Sequence, residues 1–131
     1  MANITVDLTD HSAEFLEAAA RQIALGLEAI GGQAELFAKR DCPVDTGRLR
    51  NSITFATATA HGTPNQSGGQ SAKESDYQRL QEPEPDALYV GTNVEYAADQ
   101  EYFGRHPHFL RNSLTQHGED YKKIMEAALK A

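Results

Sequence analysis

Cysteine is nearly absent from this sequence, with Cys42 the only one. A lone cysteine excludes an intrachain disulfide, and neither a second Cys nor a nearby His accompanies it to build a zinc site or activate the thiol. We therefore expect Cys42 to be a small, partly buried thiol without chemistry of its own.

Long hydrophobic runs and a basic leader are also missing. No stretch approaches the roughly 20 apolar residues that a membrane span requires. Residues 1–10 contain no basic region followed by an apolar one. The sequence therefore predicts a protein that stays in the cytoplasm in which it is made, without a membrane partner.

Positive charge is scarce: 12 Lys and Arg stand against 19 Asp and Glu, for a formal net charge of -7. This balance lacks the positive field that neutralises phosphates, which argues against stable nucleic-acid binding but is compatible with DNA passing nearby. With 131 residues, 40% hydrophobic and 24% charged, the chain is predicted to be a single soluble domain, 1–131.

The strongest periodic pattern predicts a long helix over residues 10–41. Its apolar positions recur in steps of four and three and form one stripe: Leu16, Ala20, Ile23, Leu27, Ile30, Ala34 and Phe37. A helix of about 30 residues is about 45 Å long, more than the roughly 26 Å diameter of a 100-residue domain. Part of the stripe is therefore expected to pack against another subunit or protein. Gly31 and Gly32 permit a bend in it.

Before this helix, residues 1–9 form an N-terminal arm with a weak strand pattern. Ile4, Val6 and Leu8 fall on one side of an extended chain, with polar residues between them. Such an arm can pair with a sheet edge, either in its own subunit or in a neighbour.

The most informative stretch is residues 42–53, where the helical pattern meets a β-type pattern. Pro43 ends the helix, and Asp45 and Thr46 can bind nearby backbone N–H groups. Gly47 tolerates positive φ, so the segment is predicted to be a fixed turn. If the chain is extended beyond it, Arg48 and Arg50 lie on the face opposite Leu49.

The remaining segments alternate between strands, a loop and helices. We predict a turn and strand over 42–60, a mobile loop rich in Gly, Pro and acidic residues over 61–86, an antiparallel strand over 87–94, and helices over 95–131. The helices are a short one ending at Gly104 and a C-terminal one over 109–129. The fold class is thus α+β, with a long N-terminal helix packed across a small antiparallel sheet, a short helix and a C-terminal helix.

Two motifs have to be considered as a catalytic site or a metal site. The triplet Asp45-Thr46-Gly47 also occurs around the catalytic aspartate of aspartic proteases, but here it follows a long helix and precedes Arg48, which would pair with the carboxylate. His106-Pro107-His108 lacks further ligands at fixed spacing. We predict neither a catalytic residue nor a metal or other cofactor, while keeping a protease using Asp45 as a remote alternative.

An ordered series of segments resembles the small tail-component family of tailed bacteriophages, the tail-completion or head-to-tail joining proteins. The series runs over residues 43–53, Val90-Gly91-Thr92, Tyr96-Ala97, Glu101 with Phe103-Gly104, and residues 107–111 before the last helix. Two departures occur: Tyr102 splits the family's Glu-Phe-Gly, and Asn112-Ser113 replaces its usual Pro-Ala.

The resemblance implies a non-enzymatic virion protein, a ring of six or twelve copies in the neck between portal and tail tube. Implied partners are portal, adaptor or stopper proteins and tail terminator or tube proteins, with DNA only passing through. It would occur in the virion, and in the host cytoplasm during assembly. A tail-assembly chaperone or antitoxin-like binding module outside the virion is the alternative.

We assign interface or structural roles to the residues of the matching segments. Arg48 and Arg50 are expected to fix the turn or bind an acidic neighbour, and Phe109 and Leu110 to anchor the final helix on the sheet. The full set is Asp45, Thr46, Gly47, Arg48, Leu49, Arg50, Phe103, Gly104, Pro107, Phe109, Leu110 and Arg111.

Overall fold

The computed structural model describes residues 12–44, 46–77, 84–85, 87–104 and 107–130, with side chains from residue 16 onward. The predicted α+β class is confirmed. In chain order the elements are α1 (Ser12–Asp41), α2 (Arg48–Ser52), β1 (Thr54–Ala56), a 3-10 turn (Glu74–Asp76), β2 (Tyr89–Gly91), α3 (Ala97–Phe103), α4 (Phe109–Thr115) and α5 (Gly118–Lys130). The arm at 1–9 and Asp45 lie outside the described residues.

Helix α1 is one element of 30 residues, as its apolar period predicts. It crosses the sheet at Gly31, which is buried. A Cβ at this position would overlap the Phe55 ring and lie 2.9 Å from Leu88 Cδ1. The glycine that weakens the helix locally therefore lets the sheet approach its backbone.

The stripe along α1 is covered unevenly. Ile30 and Ala34 are buried in a cluster with Tyr121 of α5, whereas Leu16 and Ile23 remain 50% and 36% exposed. Helix α5 packs tightly at Gly26, where an added Cβ would lie 2.6 Å from Met125 Sδ. The N-terminal part of the stripe is thus left accessible in the chain.

The sheet has two antiparallel strands, with Thr54 opposite Gly91, Phe55 opposite Val90 and Ala56 opposite Tyr89. The predicted strand was too long. It ends at Ala56 because Thr57 closes a turn: Thr57 N donates to Ala60 O (2.8 Å), and Thr57 Oγ1 accepts from Ala60 N (3.0 Å). The antiparallel pairing across the long loop is confirmed.

Residues 48–52 are helical, so the prediction of an extended chain there was wrong. Gly47 adopts φ 95°, and Asn51 N donates to its carbonyl at 2.9 Å. This left-handed residue turns the chain directly into α2, which leaves no room for an extended segment.

The predicted C-terminal helix over 109–129 is also broken in two. Helix α4 ends at Thr115, and α5 begins at Gly118. Between them His117 stacks on Phe37 of α1 with ring centroids 3.6 Å apart, and His117 O accepts from Tyr121 N. The His117 ring thus packs against α1 at the point where α4 and α5 are separated. None of the helices among the described residues has the length and apolar character needed to cross a bilayer.

Candidate functional site

The turn before α2 is held against the loop that follows β1. Gln70 N donates to Thr46 O at 2.6 Å. Gly47 and Gly69 have φ values of 95° and 93°, and a Cβ on Gly69 would lie 2.5 Å from Thr46 O. Glycine is required at both positions because the two backbones touch with left-handed geometry. The predicted fixed turn is present, although its Asp45 is not among the described residues.

Arg48 lies at the centre of an ion-pair network. Its Nε and Nη2 donate to the two carboxylate oxygens of Asp76, at 3.0 and 2.8 Å, and its Nη1 and Nη2 donate to Glu95, both at 3.0 Å. The Arg48 hydrogen bonds hold the pKa of both carboxyl groups below its ordinary value. Asp76 is buried, while the Glu95 side chain is 70% exposed. Arg48 thus connects three segments of the chain: α2, the 3-10 turn and the residues before α3.

Arg50 and Asn51 hold the loop on the same side of the turn. Arg50 Nη2 donates to Gly68 O at 2.8 Å. Buried Asn51 donates through Nδ2 to Gln70 O (2.9 Å) and accepts at Oδ1 from Ser67 N (3.0 Å). Asn51 was not among the predicted site residues. Its loop partners are more than 15 residues away in the sequence, so no local pattern points to its role.

The same loop is closed on itself at Asn65. Its side chain accepts from Ala72 N at 2.8 Å and donates to the Tyr77 hydroxyl at 2.6 Å, and that hydroxyl donates to Ala72 O at 2.9 Å. Over residues 61–77, the segment predicted to be mobile is therefore anchored by side-chain hydrogen bonds. Most of its remainder, residues 78–83 and 86, lies outside the described part of the chain.

Leu49 and Phe109 lie together in the larger apolar core. Phe109 is 1% exposed and Leu49 4% exposed. Leu110 is half-buried beside them. The buried cluster joins α1, α2, α3 and α4, and consists of Ala38, Cys42, Leu49, Ile53, Val94, Ala97 and Phe109. Phe109 therefore anchors α4 mainly on other helices. The sequence analysis predicted that it would anchor the final helix on the sheet. Of the strand residues, Val90 packs against this cluster.

Glu101 caps the N-terminus of α4 from the preceding helix. Its Oε1 accepts from Leu110 N at 2.8 Å and its Oε2 from Arg111 N at 3.3 Å. His108, in the left-handed region with φ 64°, donates its N–H to Glu101 O. A carboxylate at a helix N-terminus satisfies unpaired N–H groups and the helix dipole. Glu101 was quoted within the resembling series but given no role; the helix it caps begins eight residues later.

A groove of about 690 Å³ lies between the turn and α3. Phe103 at its rim is 87% exposed, and the neighbouring Tyr102 is 62% exposed. Pro43, Leu49 and Tyr96 supply apolar surface within it, and Gln70, Gln100 and Gly104 complete the lining with residues 46–48. Two adjacent aromatic side chains are therefore exposed at one edge of the groove.

The remaining predicted site residues are at the periphery. Pro107 and Arg111 are exposed, and Gly104 N donates to Gln100 O at the end of α3. His106, one of the histidines weighed as metal ligands, is outside the described residues. Among the residues that are described, no group of three His, Cys, Asp or Glu side chains could hold a metal ion.

Two ionisable side chains, Cys42 and Glu35, are buried in the fold. Cys42 is buried in the core, and burial raises the pKa of its thiol to about 12. Glu35 and Lys39 form an ion pair of 3.3 Å beneath the sheet, where burial raises the pKa of Glu35 although Lys39 opposes the shift. Neither has the geometry of an activated nucleophile.

Comparison with known proteins gives no relative: no family model, no curated protein and no solved structure matches the chain significantly.

Proposed function

We propose that this chain is a structural subunit of the neck of a tailed bacteriophage. In this role it forms a ring that joins the portal and adaptor side to the tail tube, as a head-tail joining or tail-completion protein. DNA passes through the ring without specific binding. The proposal rests on the resemblance of the segments named above, and one structural observation supports it.

That observation is the convergence of the resembling segments. Arg48 of the turn binds Glu95 just before Tyr96-Ala97, and Ser52 Oγ lies 2.5 Å from Thr92 Oγ1. Glu101 caps the helix that begins at Phe109. Segments spread over 60 residues of sequence therefore form one connected unit, as expected if the series specifies a common architecture.

The arginines act inside this unit. Arg48 directs its Nε and both Nη atoms to Asp76 and Glu95, and Arg50 reaches the loop at Gly68. This favours fixation of the turn over binding of an acidic neighbour. One exposed surface open to a neighbour is the groove and its aromatic rim, where Phe103 exposes 87% of its surface. Aromatic residues are enriched at the centres of protein interfaces.

Exchange of Phe103 for Ser tests the proposal. The substitution removes little buried area, so the free energy of unfolding is expected to change by less than about 0.5 kcal/mol. We expect particles assembled with this variant to contain full heads and free tails that have not joined. Leu36→Ser is the matched control: Leu36 is 60% exposed on α1, away from the groove lining.

Mass spectrometry of purified particles supplies the independent readout. The proposal expects the chain in the particle, in six or twelve copies. Its absence from joined, infectious particles would overturn the proposal in favour of an assembly chaperone. Loss of a cleavage event on Asp45→Asn, with folding unchanged, would instead indicate a protease.

A further inference from the structure

The two edges of the sheet are not equivalent. At β1, Phe55 N donates to Glu35 Oε1 (3.1 Å) and Phe55 O accepts from Gly62 N (2.8 Å). A buried carboxylate and the following turn thus occupy the outward backbone groups of β1. This edge is closed within the subunit.

The outward groups of β2 belong to Val90. Phe55 points its N–H and C=O away from β2, so its register partner Val90 points its own away from β1, as an antiparallel ladder requires. Within the part of the chain that the structure describes, no hydrogen bond fills these two positions. The β2 edge therefore has one donor and one acceptor ready for another strand.

Residues 1–9 have the pattern of such a strand. Ile4, Val6 and Leu8 alternate with Thr5 and Asp7, which gives one apolar face at period two. No Pro or Gly interrupts this stretch. The arm is thus a chemically suitable occupant for a sheet edge.

The central residues of the arm cannot reach β2 of their own subunit. Leu88, at the start of β2, lies beside Gly31, and α1 places Gly31 about 28 Å from Ser12. An extended chain from Ser12 back to Leu8 or Val6 spans at most about 14 or 21 Å. The middle of the arm therefore stops short of β2, whereas β2 of a neighbouring subunit is free of this limit.

The surface of α1 next to the arm exposes apolar side chains. Leu16 and Ile23, on the part of α1 that follows the arm, are 50% and 36% exposed. They continue the apolar stripe that α5 covers further along. A subunit that receives the arm on β2 can cover these residues in the same contact.

We propose that residues 4–8 of one subunit add as an edge strand to β2 of a second copy, with Val90 as the backbone anchor. This inference rests on the self-assembly in the proposed function and names one contact that produces it. The arm supplies its backbone groups for hydrogen bonding and its apolar face for packing.

Amide hydrogen exchange of Val90 in the full-length chain tests the pairing. The Val90 amide is expected to exchange at least about tenfold more slowly as subunit concentration rises, since only the paired state hides it. Ile4→Asp combined with Val6→Asp removes this protection. Thr5→Asp is the control because it adds a charge to the opposite face of the same arm, and it keeps the protection.

A synthetic peptide of residues 2–10, added to the Ile4→Asp, Val6→Asp chain, decides the case even if the intact chain stays monomeric. Protection of Val90 by the peptide, but not by a scrambled peptide, supports the pairing. Val90 exchange that the peptide leaves unchanged overturns it. Protection of the intact chain that is independent of concentration, or that persists in the Ile4→Asp, Val6→Asp chain, also overturns it. If the chain fails this test but is still found in joined particles, the strand pairing is wrong and the proposed function is unaffected.

Discussion

Arg48 holds the buried carboxylate of Asp76 through two parallel hydrogen bonds, Nε to Oδ2 at 3.0 Å and Nη2 to Oδ1 at 2.8 Å. The planar guanidinium matches the two carboxylate oxygens. Asp76 also accepts from Lys73 N at 2.8 Å, so it orders its own turn while it binds α2. One carboxylate thereby connects elements 28 residues apart in the sequence.

Replacement of Asp76 by Ala is expected to lower the free energy of unfolding by about 3 kcal/mol, because it breaks a buried pair and frees Lys73 N. Glu95→Ala is the matched control, since it removes the exposed partner of the same arginine and should lower the free energy of unfolding clearly less than Asp76→Ala does. Urea denaturation measures both. Equal losses would show that burial of Asp76 is unimportant.

The ion pair between Arg48 and Asp76 makes the free energy of unfolding depend on pH in the acidic range. Because Arg48 lowers the pKa of Asp76, the folded state binds fewer protons than the unfolded state between the two pKa values. The pair's contribution is therefore complete above the ordinary carboxyl pKa of about 3.9 and is lost as pH falls below it. We expect the urea midpoint of Asp76→Asn to fall less steeply between pH 5 and pH 3 than that of the parent chain. Parallel curves would contradict this explanation.

Glu101→Ala should destabilise the chain by about 1–2 kcal/mol because α4 loses the carboxylate that caps two of its N–H groups. Asp99→Ala, at an exposed position of α3, serves as the control and should cost less than about 0.5 kcal/mol. Thermal unfolding followed by circular dichroism compares them. A cap role would be refuted if exchange of the Leu110 amide stayed unchanged in Glu101→Ala.

Adjacent glycines in α1 should respond with opposite signs. Gly31→Ala places a methyl group against Phe55 and Leu88 and is expected to cost about 1–3 kcal/mol. Gly32→Ala meets no atom within 4 Å and should stabilise by up to about 1 kcal/mol through helix propensity. Chemical denaturation of the two variants provides the measurement. Stabilisation by both would mean that the sheet does not approach α1 at Gly31.

Cys42 should report on unfolding. Burial raises its pKa to about 12, so at pH 8 the folded thiol is protonated and shielded. Its reaction with an aromatic disulfide reagent is expected to be slow in buffer and fast in denaturing urea. Rapid labelling of the native chain would place the thiol outside the core.

The sequence predicts the long elements better than the junctions. A stripe sustained over α1 admits only one secondary structure, since no strand buries residues at steps of three and four. At Arg48-Leu49-Arg50 the alternation fits a strand, but three residues are too few to exclude a helix. The helix is favoured there by the left-handed Gly47 and by partners at Asp76 and Glu95 that are remote in sequence.

The anchoring of the loop and the role of Glu101 could not be predicted from the sequence either. Composition marks residues 61–77 as polar and Gly-rich, which is typical of mobile segments. Their anchoring depends on where Asn51 and Asn65 find backbone partners, and this is set by tertiary geometry. Glu101 is a similar case. The sequence shows that a carboxylate is present, but its position beside α4 depends on the angle between α3 and α4.

The carboxylate of Glu35 at the β1 edge has a consequence for assembly size. A subunit with both edges open could gain strands without end, as fibrils do. Here the chain itself occupies the outward groups of β1, so under the proposed pairing each copy would accept one strand at β2 and give one through its arm. Such a valency permits chains that close into circles and forbids branching.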